Sequence, residues 1–399
     1  MQTIITIFFK EILDTLRDRR TLYAMVVAPL VVMPLFTILP QYLIASQMKK
    51  QEEERIRLAI VGSEYAPELV AYLEGTGQVE IVEPPTDLEG ALQEGEILAA
   101  LAIPTDFTEA IAAERPVTVT ISSDESKMAS GTAADRVQML VQTYAQQLVA
   151  QRLAARGLDP SVLTPIQVKG ENVASEEQMG GFLMAMLLPM FIAIWAVVGG
   201  MYTAIDVTAG EKERGTLEAL LVTPASRLQI VLGKLLAVIT TSLAAVILSV
   251  SSMYLSFRLF PAETLAREGE EVAFSLPPQT ILLIVLVALP LVVMINSLEI
   301  AICIFARSFK EAQNYIMPLQ FAVLIPAVPL MMMPDLALPF AAYATPIVGA
   351  LLSFSDLLKG AAHGAAIGLT VASSVIYAAI CLTIAVHIFR REGVLFRAA

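Results

Sequence analysis

Residues 179–205, MGGFLMAMLLPMFIAIWAVVGGMYTAI, contain no Asp, Glu, Lys or Arg. About 20 apolar residues cross the hydrocarbon core of a bilayer as a helix, so this stretch reads as a transmembrane segment. The same absence of charge marks residues 22–45, 235–257, 312–334 and 360–389. Residues 278–307 are equally apolar within but carry one acid, Glu299. Six spans result. A further uncharged run, 336–355, raises a seventh. It would have to turn back from 312–334 within one residue, Asp335, and Pro334, Pro339 and Pro346 break the region. An external re-entrant hairpin is expected there instead.

The composition agrees. Of 399 residues, 56% are hydrophobic and 16% charged, against about 25% charged in soluble domains. A disordered chain, a fibre and an ordinary soluble globule are excluded. The net charge of −12 comes from 26 basic and 38 acidic residues. Residues 46–178 hold 10 of the basic and 22 of the acidic side chains, so the whole imbalance sits in this one internal segment. Neither the balance nor any basic patch suggests nucleic acid.

Orientation follows from Lys and Arg in short loops. A cytoplasmic N-terminus places Lys10, Arg17, Arg19, Arg20, Lys212, Arg214, Arg227, Lys234, Arg307, Lys310, Arg390, Arg391 and Arg397 inside. Only Arg258, Arg267 and Lys359 then fall in short external pieces. Lys49, Lys50, Arg55 and Arg57 oppose this, but they open a long domain, which translocates largely regardless of charge. The expected fold is a polytopic α-helical membrane protein of six transmembrane helices, with an α/β extracytoplasmic domain inserted between helices 1 and 2. The segments are 1–21 (cytoplasmic interfacial helix), 22–45 (span 1), 46–178 (external domain), 179–205 (span 2) and 206–227 (cytoplasmic loop). Then come 228–257 (span 3), 258–278 (external loop), 279–306 (span 4), 307–311 (turn), 312–334 (span 5), 335–359 (external hairpin), 360–389 (span 6) and 390–399 (cytoplasmic tail). The location is the cell membrane, with both termini cytoplasmic.

Before the first span, Ile4, Ile5, Phe8, Phe9, Ile12, Leu13 and Leu16 recur at helical spacing, opposite Lys10, Glu11, Asp14, Arg17 and Asp18. This amphipathic pattern suits the membrane interface. The 24-residue apolar run that follows is too long for a cleaved signal peptide. Within the inserted domain, strands are expected over 55–61, 79–82, 97–103 and 117–122. Helices are expected over 67–74, 87–93, 105–113 and 129–156. Thr105 or Asp106 caps the third helix. Val137, Leu140, Val141, Tyr144, Leu148 and Leu153 form the buried face of the last. Alternating strands and helices favour a layered sheet-and-helix fold.

No enzyme signature emerges. His363 and His387 are about seven helical turns apart and cannot share a metal. Cys303 and Cys381 fall in spans, and the external domain has no cysteine. The pair Gly233-Lys234 imitates a phosphate-binding loop, but Leu228 stands at its first glycine position and Leu235 at its hydroxyl position. Catalytic residues, a resident metal and a cofactor are therefore not expected. Any energy must come from an ion gradient or a partner.

The loop after the second span reads GEKERGTLEALLVTPASRLQIVLGK, residues 210–234. A mixed-charge cluster opens it, and Leu217, Leu220 and Leu221 follow at helical spacing before Pro224. Such a helix either lies on lipid or docks in a partner's groove. Its E-x-E-R-G-T-L-E-x-L-L-x-T-P pattern is quite specific. Together with FFKEILDTLRDRRTLYAMVVAPLVVMPLF (8–36), FARSFKEAQNYIMPL (305–319) and ILAALAIPTDFTEAI (97–111), it makes the chain resemble the permease subunits of type-2 ABC exporters. Among these it resembles the NatB-like sodium-efflux permeases in particular.

That resemblance implies a mechanism. The loop would supply a coupling helix, with Glu211, Glu213, Arg214, Gly215, Thr216, Leu217, Glu218 and Leu221 contacting a separate cytoplasmic ABC ATPase. ATP and Mg would be bound by that ATPase, and a second permease copy, identical or paralogous, would complete the assembly. For the substrate, Glu299 is the acid set deepest in a span, and acids at depth are functional candidates. With Asn296 and Ser297 it offers oxygen ligands to a hard cation such as sodium. An ion pair is the competing reading. Arg307 is about 12 Å along the helix, which leaves Lys234 or a neighbour's Arg307 as partner. Thr240, Thr241, Ser242, Ser249, Ser251 and Ser252 on the third span read as packing groups. Export of drugs, lipids or peptides, and a membrane-anchored sensor with an external ligand-binding domain, remain as alternatives. An intramembrane protease lacks any catalytic constellation.

Overall fold

The computed structural model describes residues 1–53, 55–163, 166, 173–260, 277–333, 335–336 and 338–390. They form two compact units, Met1–Tyr42 with Val173–Ala399, and Leu43–Asn172. The loop expected over 258–278 lies mostly outside the described residues, as does nearly all of the tail expected over 390–399.

The chain opens with α1 (Gln2–Arg17). Asp18 then turns extended, and its carboxylate accepts from the Thr21 amide and, at 2.6 Å, from the Thr21 hydroxyl. That starts the short α2 (Arg19–Leu22), which passes through a π-turn, Tyr23–Val27, into α3 (Ala28–Glu53).

The smaller unit alternates β1 (Ile56–Val61), α4 (Pro67–Gly75), β2 (Val79–Val82), α5 (Leu88–Glu94), β3 (Ala99–Ala102), α6 (Phe107–Ala112), β4 (Thr120–Ser122) and α7 (Met128–Ala155). The sheet order is β2-β1-β3-β4. β1 is parallel to β2 and β3, in register Leu58↔Ile81 and Leu58↔Ala99, and β4 runs antiparallel to β3. Its apolar core joins Leu58, Ile60, Leu69, Leu73, Leu101 and Val137. α7 is nearest the sheet at small residues, Ser130 and Ala133, and the Ser130 hydroxyl donates to Leu98 O at 2.6 Å. Leu140, Val141 and Tyr144 pack more loosely. The sequence expectation named Val137, which is fully buried, together with these larger groups, and missed the small buried residues Ser130 and Ala133. Asp106 does precede α6, but without a side-chain cap; Thr108 instead donates to Tyr65 O.

The larger unit continues with α8 (Glu176–Ile205), α9 (Glu211–Glu213), α10 (Thr216–Leu221), α11 (Arg227–Leu259), α12 (Pro278–Cys303), α13 (Phe309–Met332), α14 (Pro346–Leu358) and α15 (Gly364–Arg390). Among the described residues, six helical segments are long and apolar enough to cross a membrane: Tyr23–Ser46, Gln178–Glu213, Arg227–Leu259, Pro278–Cys303, Phe309–Met332 and Gly364–Arg390. α14 has 13 residues, about 20 Å, shorter than a bilayer core. Local chemistry sets the helix starts. Ser175 with Gln178, and Ser226 with Gln229, form reciprocal capping boxes at α8 and α11. The Ser308 hydroxyl accepts from the Glu311 amide at the start of α13.

α8 is the central helix of this unit, with α11, α12, α13 and α14 packed on it. Small residues permit the approach. A Cβ on Gly199 would lie 2.5 Å from Ala245 Cβ, and the Ser242 hydroxyl donates to Ala196 O across the contact at 2.8 Å.

Candidate functional site

The helix of the second span does not stop at Ile205. It runs on through a π-turn, Asp206–Gly210, into α9. Arg214 Nη1 reaches back to Asp206 Oδ1 at 2.7 Å, bracing the turn. Gly215 then adopts φ +70, a left-handed conformation that favours glycine, and so breaks α9 from α10. Three consecutive side chains fasten α9. Glu213 Oε2 accepts from the Phe309 amide at 2.8 Å, at the start of α13. Lys212 Nζ donates to Ile304 O, just past α12. Glu211 turns inward and is 3% exposed.

α10 presents two sides. Leu217 is buried in a cluster with Ile7, Val207, Ile230, Val231 and Phe389. Glu218, Ala219 and Thr216 face outward, and beyond the helix Val222 is 85% exposed. The Leu221 side chain lies outside what is described. Of the residues expected to form an outer docking face, Glu211 and Leu217 are therefore internal. Glu213, Arg214, Gly215, Thr216 and Glu218 are exposed. Val222, which the leucine pattern at helical spacing did not single out, is the most exposed apolar side chain among the described residues of the loop.

Beneath the loop lies a ring of four charges. Lys234 Nζ, on α11, donates to Glu211 Oε2 at 2.6 Å and Glu11 Oε1 at 2.9 Å. Lys10 Nζ donates to Glu211 Oε1 at 2.9 Å and Glu11 Oε1 at 3.2 Å. Each carboxylate thus meets both ammonium groups, and the signs alternate. Lys234, Glu11 and Glu211 are buried, while Lys10 is half-exposed and also faces Asp14 at 3.5 Å. Burial opposes the charge on Lys10, but the Glu11 and Glu211 carboxylates outweigh it and hold the ammonium above its ordinary range. Sequence reasoning missed Lys10 and Glu11. The available signal was Lys234 itself, a lysine two turns inside an apolar helix, which demands a counter-charge.

Lys234 is thus committed to this ring and does not pair with Glu299. Glu299 is fully buried on α12, as are Asn296 and Ser297. The Ser297 hydroxyl bonds Val293 O at 2.7 Å and the Asn296 amide bonds Val292 O at 2.8 Å, both within their own helix. Among the described residues, Asn296 Oδ1, both Glu299 oxygens and the buried Thr203 hydroxyl on α8 have no hydrogen-bond partner. A Cβ on Gly200 of α8 would sit 3.1 Å from Glu299 Oε2 and would overlap Asn296 Oδ1. Asn296 and Glu299 thus pack directly against the α8 backbone, an approach that only glycine at position 200 allows. Ser297 does not contribute a free oxygen; Thr203 and Gly200 were not foreseen. Among the described residues no group of three or more His, Cys, Asp or Glu could hold a metal ion. An ionised carboxylate here needs a cation beside it, or else a proton on it. Of the hydroxyls on α11, Ser242 and Ser252 bridge to other helices, and Thr240, Thr241 and Ser249 bond their own helix.

Comparison with known proteins fits this architecture. The family model described as ABC-2 family transporter protein matches residues 19–387. The ABC transporter permease protein NatB of Bacillus subtilis (strain 168) is 31% identical over 326 residues, covering 81% of each chain. No solved structure matches.

Proposed function

Because the chain belongs to the ABC-2 family of transporter proteins, we propose that it is the permease of an ATP-driven exporter, worked by a separate ATPase that docks on the 210–224 loop. Its family membership makes it a multi-pass membrane protein and implies an ATPase partner. The finer reading rests on how the loop is built. Its outer side offers Glu218 and Val222, a charge to orient a partner and an apolar side chain to fill a cleft. Its inner side is tied to α1, α11 and the α12–α13 turn. A displacement of the loop is therefore passed to the bundle rather than absorbed.

The distribution of Lys and Arg supports a cytoplasmic loop, cytoplasmic termini and an external 46–178 domain. ATP and Mg would sit on the ATPase, and two permeases with two ATPases would form the working complex. Val222→Asp should weaken co-purification of the ATPase by about tenfold, the cost of charging one apolar contact in a docked interface, while leaving the permease folded. Undiminished ATPase binding by that variant would sink the docking surface.

For the substrate we favour a hard monovalent cation, sodium, passing Glu299 and Asn296 where they meet α8. The support is the set of buried oxygens without hydrogen-bond donors. In proteoliposomes with the ATPase, sodium-22 movement should require ATP and fall sharply in Glu299→Gln. ATP-dependent complexes that move no sodium would redirect the assignment to drugs, lipids or peptides.

A further inference from the structure

We propose that the Lys234–Glu11–Lys10–Glu211 ring is a clamp that makes the N-terminal helix part of the moving machinery, so that α1 follows the α9–α10 loop when the ATPase acts. The proposal rests on the permease reading above. A helix that merely floats on lipid needs only an outward apolar stripe, and α1 has one in Ile5, Phe9, Leu13 and Leu16, each about half-exposed. It has no need of a carboxylate on its inner face. Yet Glu11 is 2% exposed, between Ile7 and Thr15 one turn away on either side, and both are buried too.

The ring joins three elements distant in sequence. Glu11 and Lys10 come from α1, Glu211 from α9 and Lys234 from α11. Charge balance holds only when all three are in place, because each carboxylate is shared between ammonium groups on different elements. Buried ion pairs add little net stability over apolar packing, but removing one member leaves an uncompensated charge. Such a ring therefore penalises separation of its parts more than it strengthens their folded state. A bound charge cannot slide to a new neighbour in an apolar surround, whereas leucines could.

Steric fit adds a second tie. Gly233, beside Lys234, lets α1 lie directly on α11. A Cβ there would come within 2.7 Å of Ile7 Cγ2 and 3.1 Å of Ile4 O. Ile7 in turn shares its apolar cluster with Leu217 of α10 and Val207 of the π-turn. The polar ring and this cluster therefore fasten the same elements side by side. With α1 tied in this way, its outward apolar stripe gives the loop a grip on the lipid interface.

The test is hydrogen exchange on the full permease–ATPase complex in lipid nanodiscs, without nucleotide and with ATP trapped by vanadate. In the wild type, amides of α1 should change protection in step with those of α9 and α10. In Glu11→Gln, which keeps the shape and an acceptor for Lys234 but removes the charge, the loop should still respond and α1 should lose its nucleotide response. Gly233→Ala, which pushes Ile7 away without touching a charge, should produce the same loss. If wild-type α1 ignores nucleotide while the loop responds, or if α1 stays in step in both variants, the clamp is overturned. If the wild type binds no ABC ATPase, the permease reading fails and the clamp falls with it.

Discussion

Lys234 and Asp14 show how burial decides the worth of a charge. Lys234 is 1% exposed and answers two carboxylates. Asp14 lies at the rim, half-exposed, 3.5 Å from Lys10. Lys234→Met would leave Glu11 and Glu211 facing each other with only Lys10 between them. The expected loss of stability is about 3–5 kcal/mol, the usual cost of stripping one partner from a buried pair. Asp14→Asn should cost no more than about 1 kcal/mol, as for an exposed pair in water. Thermal unfolding in detergent compares the two, and equal effects would contradict the buried ring. Glu299 is the opposite case. It is buried with no hydrogen-bond partner among the described residues, so Glu299→Gln should impair transport with little loss of stability. That dissociation separates a ligand site from a structural pair.

At the scale of elements, helix ends do much of the positioning. α11 starts at the Ser226–Gln229 capping box, and Arg227 Nη1 donates to Arg390 O at 2.7 Å where α15 ends. The first turns of α11 also carry Gly233 and Lys234, so the cap fixes where the ring's deepest charge stands. Ser226→Ala should cost about 1 kcal/mol, typical of a lost N-cap. The loss should appear as faster amide exchange confined to the first turn of α11; unchanged exchange there would mean that packing alone holds the helix start. The π-turn at Asp206–Gly210 has a different role. It carries the second span past Ile205 into α9, where Glu211 turns inward.

At the scale of the molecule, orientation is open to direct measurement. The two natural cysteines, Cys303 and Cys381, are buried. A cysteine at the exposed Glu125 position should react with a membrane-impermeant thiol reagent added outside intact cells. One at the exposed Thr223 position should react only after the cells are opened. The reverse pattern would invert the topology and remove the loop from the side where ATP is found.

Six apolar spans and an acidic domain in the first interval are legible in the chain because each depends on local quantities. Hydropathy over about 20 residues sets a span, and alternation over a few residues sets a strand. The loop could be recognised for the same reason, since its pattern occupies 14 adjacent residues. The charge ring was not legible. Its bonds join residues 23 and 223 positions apart; Lys234 alone signals that a counter-charge is needed but not which one, and the other members look like ordinary charges on an amphipathic face or at a helix boundary. The tertiary structure decided which of the loop's charges turn inward, and that Lys234 serves Glu11 and Glu211 rather than Glu299. The physical reason is the same in both cases. A charge leaves water only where the fold brings its opposite to within hydrogen-bonding distance, and only the assembled helices determine where that happens.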